Sequence, residues 1–249
     1  MRPLAGRTIL VTRPATAAAE LVGLLRRRGA MPIVAPAIEI VPARSAALTN
    51  ALRELAAGRF AWITLTSSST VEMLAARLRS PLDVRANVAA IGEGTASAFR
   101  TWAGRAPDLM PDTFTTGALA RRFPRGHGRV LCARADIAPD GLEDAIAAKG
   151  WSPERVDAYR TRTPRSLPRE ARDALRDGHV DAVVFSSAST VRGFLGAVGV
   201  VRGNPKVVCI GPVTAREARE RGLRVSAVAR PHTMDGLLVA LERVLAPHG

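Results

Sequence analysis

The chain has 249 residues, 47% of them hydrophobic, with 36 Lys and Arg against 22 Asp and Glu for a formal net charge of +14. That length suits one large domain or two of about 120 residues. No apolar run nears the roughly 20 residues that cross a bilayer, and the short run after the N-terminus meets charges and a proline at once, which argues against a secretory leader. Cys132 and Cys209 sit singly in the apolar strings "VLCAR" and "VVCIG", and the four histidines lack metal-ligand spacing. These features exclude a disulfide framework and a zinc site, and they imply buried free thiols in a reducing cytoplasm.

In chain order, an apolar run predicts a strand over residues 8–12, then a helix over 18–28 closed by Gly29. An extended, proline-flanked, β-branched segment follows at 37–43. Strand and helix then alternate: 61–66 with 71–78, and 88–91 with 96–103 closed by Gly104. A strand at 129–133 leads to a helix ended by Gly150, and a second extended segment runs over 154–163. Strands at 182–185 and 207–210 follow, with Gly222 closing another helix and a last helix over 236–245. Short continuous apolar runs suit parallel strands covered on both faces, and glycine just past a helix end suits a C-terminal cap. The alternation predicts an α/β fold of two similar parallel-sheet lobes.

The chain reads as one unit built twice. "LTSSSTV" at residues 65–71 returns as "FSSASTV" at 185–191, with Ser67, Ser69, Thr70 and Val71 repeated 120 positions later. Residues 9–32 match 130–153 at an offset of 121, which sets Arg13 against Arg134 and Gly29 against Gly150. Residues 88–99 match 207–218 at an offset of 119, which sets Gly92 and Thr95 against Gly211 and Thr214; a looser match sets Gly117 against Gly236. Four blocks in one order at near-constant offset mark a duplication. Repetition alone leaves open whether each half folds by itself or the halves exchange a block.

Loops after the strands of a parallel sheet gather on one edge, where each opens a helix whose first amides lack partners and carry partial positive charge. Such ends take anions. The serine turns add hydroxyl donors, the Ile-Gly turns at Gly92 and Gly211 let backbone approach a ligand, and Arg13 and Arg134 lie on neighbouring loops. Two roles compete at any one turn: anion binding, or helix capping, for which Ser69 and Glu72 have the capping-box spacing. Paired turns in both halves, facing one another across a hinge, predict a cleft for one large polyanion. The net charge suits such a ligand, or it reflects an Arg-rich composition in which Lys149 and Lys206 are the only lysines. No aromatic–basic stripe marks the chain, so nucleic acid is not expected as a partner, and neither is a membrane.

Over nearly its whole length the chain resembles the uroporphyrinogen-III synthase family. The strings that carry the resemblance are "LTSSSTV", "FSSASTV", "AIGEGTA", "CIGPVTAREARERGLRV", "VDAYRTRT" and "ARPHTMDGLLVAL". The resemblance implies two α/β lobes, residues 1–36 with 165–249 and residues 43–155, joined by a two-stranded antiparallel linker of 37–42 and 156–164. It implies a hydro-lyase without cofactor that takes hydroxymethylbilane, a linear tetrapyrrole with eight carboxylates, to uroporphyrinogen III with inversion of the last ring. Tyr159 matches the family's tyrosine in "VDAYRTRT"; its phenol is a candidate general acid toward the departing hydroxyl, or a packing residue of the hinge. The resemblance implies that Thr66, Ser67, Ser68, Thr95, Ser186, Ser187, Ser189, Thr214 and Thr233 contact the substrate's carboxylates through hydroxyls and backbone amides. Ser69 stands where the family commonly has Asn.

The preceding enzyme of the pathway is the protein partner the resemblance suggests, and scattered apolar residues favour a monomer. The alternatives from other classes are a non-catalytic polyanion- or tetrapyrrole-binding protein and a regulatory or nucleic-acid-binding descendant of the enzyme, the latter suggested only by charge.

Overall fold

A computed structural model of the chain describes residues 3–78, 80–81 and 84–246. In chain order the elements begin β1 (Thr8–Val11), α1 (Ala15–Arg27), β2 (Met31–Val34), β3 (Glu39–Pro42), α2 (Ala46–Ala56), β4 (Trp62–Leu65), α3 (Ser68–Ala75), β5 (Asn87–Ala90), α4 (Glu93–Ala103) and α5 (Thr116–Arg122). They continue β6 (Arg129–Ala135), α6 (Leu142–Ala147), β7 (Ser152–Arg162), α7 (Arg169–Arg176), β8 (Ala182–Phe185), α8 (Ala188–Ala197), β9 (Lys206–Cys209), α9 (Pro212–Glu220), β10 (Val225–Val228) and α10 (Met234–Leu245).

Two five-stranded sheets form, ordered β10-β9-β8-β1-β2 and β3-β7-β6-β4-β5. In the first, every pairing is parallel. In the second, β7, β6, β4 and β5 are parallel neighbours. Strand β1 lies against β8 with Ile9 opposite Ala182, so the first block of sequence joins strands from the far end of the chain. Two compact units result: one holds the chain up to Glu39 and from Arg162 onward, the other holds Ile40–Thr161.

Each sheet is buried on both faces, as its continuous apolar runs require. In the first unit, Ile9, Val11 and Val184 pack with Leu21, Leu25, Leu237 and Leu241 on one face. Leu10, Val183 and Phe185 pack with Val191, Phe194 and Leu175 on the other. The second unit repeats the plan, with Ile63, Leu65, Val71 and Phe99 on one side and Val130, Cys132, Leu119 and Ile146 on the other. Helix α1 buries Ala18, Leu21, Val22 and Leu25, the three-four spacing of a helix laid along a sheet. Gly104 caps α4 at φ 67°, a left-handed turn that glycine takes without a Cβ clash.

Two strands escape the apolar-run reading. β2 is an edge strand, half-exposed and carrying Pro32, whose missing N–H an edge tolerates. β10 is the opposite edge and is interrupted by Ser226, whose hydroxyl accepts the Val207 N–H at 3.2 Å where the register slips. The second extended segment is one strand of eleven residues that pairs with β6 from Ser152 to Tyr159. Residues 156–159 are therefore sheet residues as well as the start of the expected linker.

Candidate functional site

The helices that follow the parallel strands all start at the strands' C-terminal edge, so each unit presents a row of helix N-termini there. In the Ile40–Thr161 unit the chain leaves β4 at Thr66 and stays extended through Ser67, at φ −162° and ψ 155°. It turns helical at Ser68. Ser67 Oγ accepts the Thr70 N–H at 3.2 Å and so caps α3. This corrects the capping box expected of Ser69 and Glu72: the helix starts two residues earlier, and Ser69 lies inside its first turn.

Ser67 Oγ also lies 2.9 Å from the Tyr159 hydroxyl and 3.1 Å from Thr70 Oγ1. Tyr159 is 7% exposed. Burial pushes its phenol above the ordinary tyrosine range, and the hydrogen bond from Ser67 pulls the other way. The phenol is therefore protonated throughout the neutral range, with one hydrogen to donate and an oxygen that can accept.

Arg134 follows on the same edge, at the end of β6, and it is 1% exposed. Its Nη1 donates to both carboxylate oxygens of Glu143 at 3.0 Å. The carboxylate expected of a substrate at Arg134 is thus an internal one from the first turn of α6. Thr95 is buried in the first turn of α4 behind Gly92.

The other unit carries the twin edge. Ser187 Oγ accepts the Thr190 N–H at 3.2 Å, and Thr190 Oγ1 accepts the Ser187 N–H at 3.2 Å, which completes a capping box at the start of α8. Ser187 Oγ then meets Ser189 Oγ at 2.9 Å, with no tyrosine in that place. Ser186 precedes the cap, half-buried. Gly211 caps α9 and Thr214 is buried in its first turn. A Cβ at Gly211 would meet the His232 ring at an ordinary 3.8 Å, whereas at Gly92 it would fall 2.7 Å from the Phe114 ring. Packing demands glycine at Gly92 and leaves the Gly211 backbone open. Thr233 caps α10 through its hydroxyl to the Gly236 N–H at 3.2 Å. Gly236 itself is fixed by contact, since a Cβ there would fall 1.9 Å from the Pro231 carbonyl oxygen. Arg13 reaches across to this helix, with Nη1 3.1 Å from Met234 Sδ.

The structure thus brings Ser67 together with Tyr159, Ser187 with Ser189, and Arg13 with α10, while Arg134 turns inward. Two residues escaped sequence reasoning. Thr115 caps α5 through the Ala118 N–H at 3.1 Å, as Thr233 caps α10 in the other unit; the loose fourth repeat block hid the likeness, because it sets Thr233 against Phe114, one residue off. Asp136 accepts the Thr161 N–H at 2.9 Å beside Tyr159. An isolated aspartate after a strand gave no pattern to find it by. Among the described residues no cluster of three or more His, Cys, Asp or Glu can hold a metal ion, and no helix is long and apolar enough to cross a membrane. The two thiols are free and buried, and burial pushes Cys132 to about 11 and Cys209 to about 12.

These edges have counterparts in known proteins. The family model described as uroporphyrinogen-III synthase HemD matches residues 19–239. The uroporphyrinogen-III synthase of Synechococcus elongatus is 33% identical over 97% of this chain and 97% of its own. The porphyrin biosynthesis protein HemD of Ruminiclostridium josui is 31% identical over 95% of this chain, which spans 48% of that protein. Among solved structures, a mutant uroporphyrinogen III synthase from the extremely thermophilic bacterium Thermus thermophilus shares the fold, with a TM-score of 0.65 at 22% identity over 96% of this chain and 99% of that one. The uroporphyrinogen-III synthetase of Helicobacter pylori shares it with a TM-score of 0.62 at 18% identity over 95% and 99%. With a family match across most of its residues and an end-to-end relative, the chain belongs to the uroporphyrinogen-III synthase family and has that family's function.

Proposed function

We propose that Tyr159 is the hydrogen-bond donor to the departing hydroxyl as this chain, acting as uroporphyrinogen-III synthase, closes hydroxymethylbilane to uroporphyrinogen III with loss of water. The reaction is then that of a hydro-lyase. The observation that carries this reading is the Ser67–Tyr159 hydrogen bond on an edge made of helix N-termini.

The chemistry asks little of the protein beyond placement. A pyrrole nitrogen pushes its electron pair toward the terminal carbon, the C–O bond breaks, and the hydroxyl leaves as water once it has gained a proton. The azafulvenium so formed is attacked by the substituted carbon of the last ring, the spiro intermediate fragments and recloses with that ring inverted, and the closing carbon gives up its hydrogen as a proton, which balances the one carried off in water. Loss of water leaves the oxidation level unchanged, so no redox cofactor is required. The proton arrangement that serves the first step runs from the Thr70 N–H to Ser67 Oγ and from the Ser67 hydroxyl to the Tyr159 oxygen, which leaves the phenolic hydrogen to the substrate. A phenol raised above its ordinary range supports donation of a hydrogen bond and opposes any role as a base.

Eight carboxylates suit the two donor edges. We assign Thr66, Ser67, Ser68 and Thr95 on one, and Ser186, Ser187, Ser189, Gly211, Thr214 and Thr233 on the other, as carboxylate-binding through backbone amides and hydroxyls. Arg13 adds a cation beside α10, and Arg134 supports the first edge from inside. Holding the chain folded supplies most of the selectivity, because the free substrate closes head to tail without inversion. The free thiols fit a reducing cytoplasm. Exposed large apolar side chains such as Met31 on β2, Ile137 in the connection after β6 and Val239 on α10 lie far apart in the chain, which favours a monomer that receives its unstable substrate from the preceding enzyme of the pathway.

The test is to incubate purified protein with freshly made hydroxymethylbilane and separate the products by isomer. Type III as the main product supports the reading. Type I alone, with the substrate still bound, favours a non-catalytic tetrapyrrole-binding role.

A further inference from the structure

Strand β7 breaks its in–out alternation at Tyr159. Val156 is buried, Asp157 exposed, Ala158 buried, and then Tyr159 is buried as well. The register with β6 explains it: Arg134 pairs with Asp157 and Ala135 pairs with Tyr159, so one residue of β7 is left over. A bulge of this kind re-aims the side chain that follows it. Here it turns Tyr159 to the side of the sheet where Ser67 stands.

A bulge is a local weakness in the ladder, and this one is braced from a single residue. The Asp136 N–H donates to the Tyr159 carbonyl at 3.1 Å. Asp136 Oδ1 accepts the Thr161 N–H at 2.9 Å and its neighbour Ile137 N–H at 2.9 Å. Backbone and side chain of one residue thereby fix β7 at Tyr159 and two residues beyond it. We infer that Asp136 is the positioning residue that holds the Tyr159 phenol in place for the reaction. This rests on the donor role proposed for Tyr159.

Asp136 is also one of the charges that act on the phenol, together with Glu72, which opposes its ionisation, and Arg134, which favours it. Tyr159 is the only tyrosine in the chain, so phenolate absorbance reports this one group. The experiment uses the full-length protein. Asp136→Ala should lower kcat by about ten- to a hundredfold, within the reach of a lost proton donor, and change KM little. In a Tyr159→Phe background it should cost nothing further, since it acts through the phenol. Asp136→Asn keeps an oxygen for both N–H groups, so it should recover most of the lost turnover while the phenol titrates at lower pH than in wild type.

Losses that multiply in the double variant, or an Asp136→Ala protein with wild-type kcat, overturn the inference. A Tyr159→Phe protein with wild-type rate instead overturns the donor role. In that event the phenol titration still judges the placement: an unshifted titration in Asp136→Asn counts against Asp136.

Discussion

Ser67 Oγ lies 2.9 Å from the Tyr159 hydroxyl while accepting the amide of Thr70, so one oxygen both starts helix α3 and holds the phenol. Its twin, Ser187, starts α8 in the same way and holds Ser189 instead. The two serines therefore separate capping from contact with the phenol. Ser67→Ala and Ser187→Ala should each lower stability by about 0.5–2 kcal/mol for the lost cap. Of the two, only Ser67→Ala should move the phenol, and it should move it upward, because the hydrogen bond with Ser67 lowers it alongside the charge of Arg134. Denaturant unfolding and phenolate absorbance read the two effects separately. A titration shift in Ser187→Ala would break this division of labour.

Arg134 and Glu143 form an ion pair with side chains only 2% and 15% exposed. Removing one partner of such a pair strands the other charge, at a cost of about 3–5 kcal/mol, whereas replacing both with apolar residues of similar size is often close to neutral. Glu143→Gln should therefore be far more damaging in urea unfolding than Arg134→Met combined with Glu143→Leu. Equal losses in the two proteins would show that the pair carries no uncompensated charge.

The buried thiols give stability a defined alkaline limb. Their folded-state values, about 11 for Cys132 and about 12 for Cys209, lie above the ordinary thiol value of roughly 8.5. The native state thus holds protons that the unfolded chain gives up first. Stability is present in full below the ordinary value and is lost as pH rises toward the folded ones. The unfolding midpoint should fall between about pH 8 and about pH 10, and the fall should be smaller in a Cys132→Ala, Cys209→Ala protein even though its baseline is lower. Parallel pH curves for the two proteins would contradict this.

The strands that form the middle of each sheet were legible because burial on both faces writes them as unbroken apolar runs, as in "AVVF" of β8. The edge strands β2 and β10 were not, because their half-exposure admits Pro32 and Ser226. The candidate site was legible where it repeats: Ser67 and Ser187, and Thr95 and Thr214, stand out because the chain contains them twice. Tyr159 has no twin and came from the resemblance. Asp136 works through backbone at a bulge, and a bulge is set by tertiary pairing that no local pattern records. The inward turn of Arg134 was equally silent, since Glu143 is an ordinary acidic residue in the first turn of a helix until the fold brings the two together.

The central claim is that the Tyr159 phenol assists departure of the hydroxyl. Turnover of Tyr159→Phe on hydroxymethylbilane, with type I and type III products separated, tests it most directly. The account predicts a rate about ten- to a hundredfold below wild type, with type III still formed and the protein folded as before. A wild-type rate in that protein would contradict it.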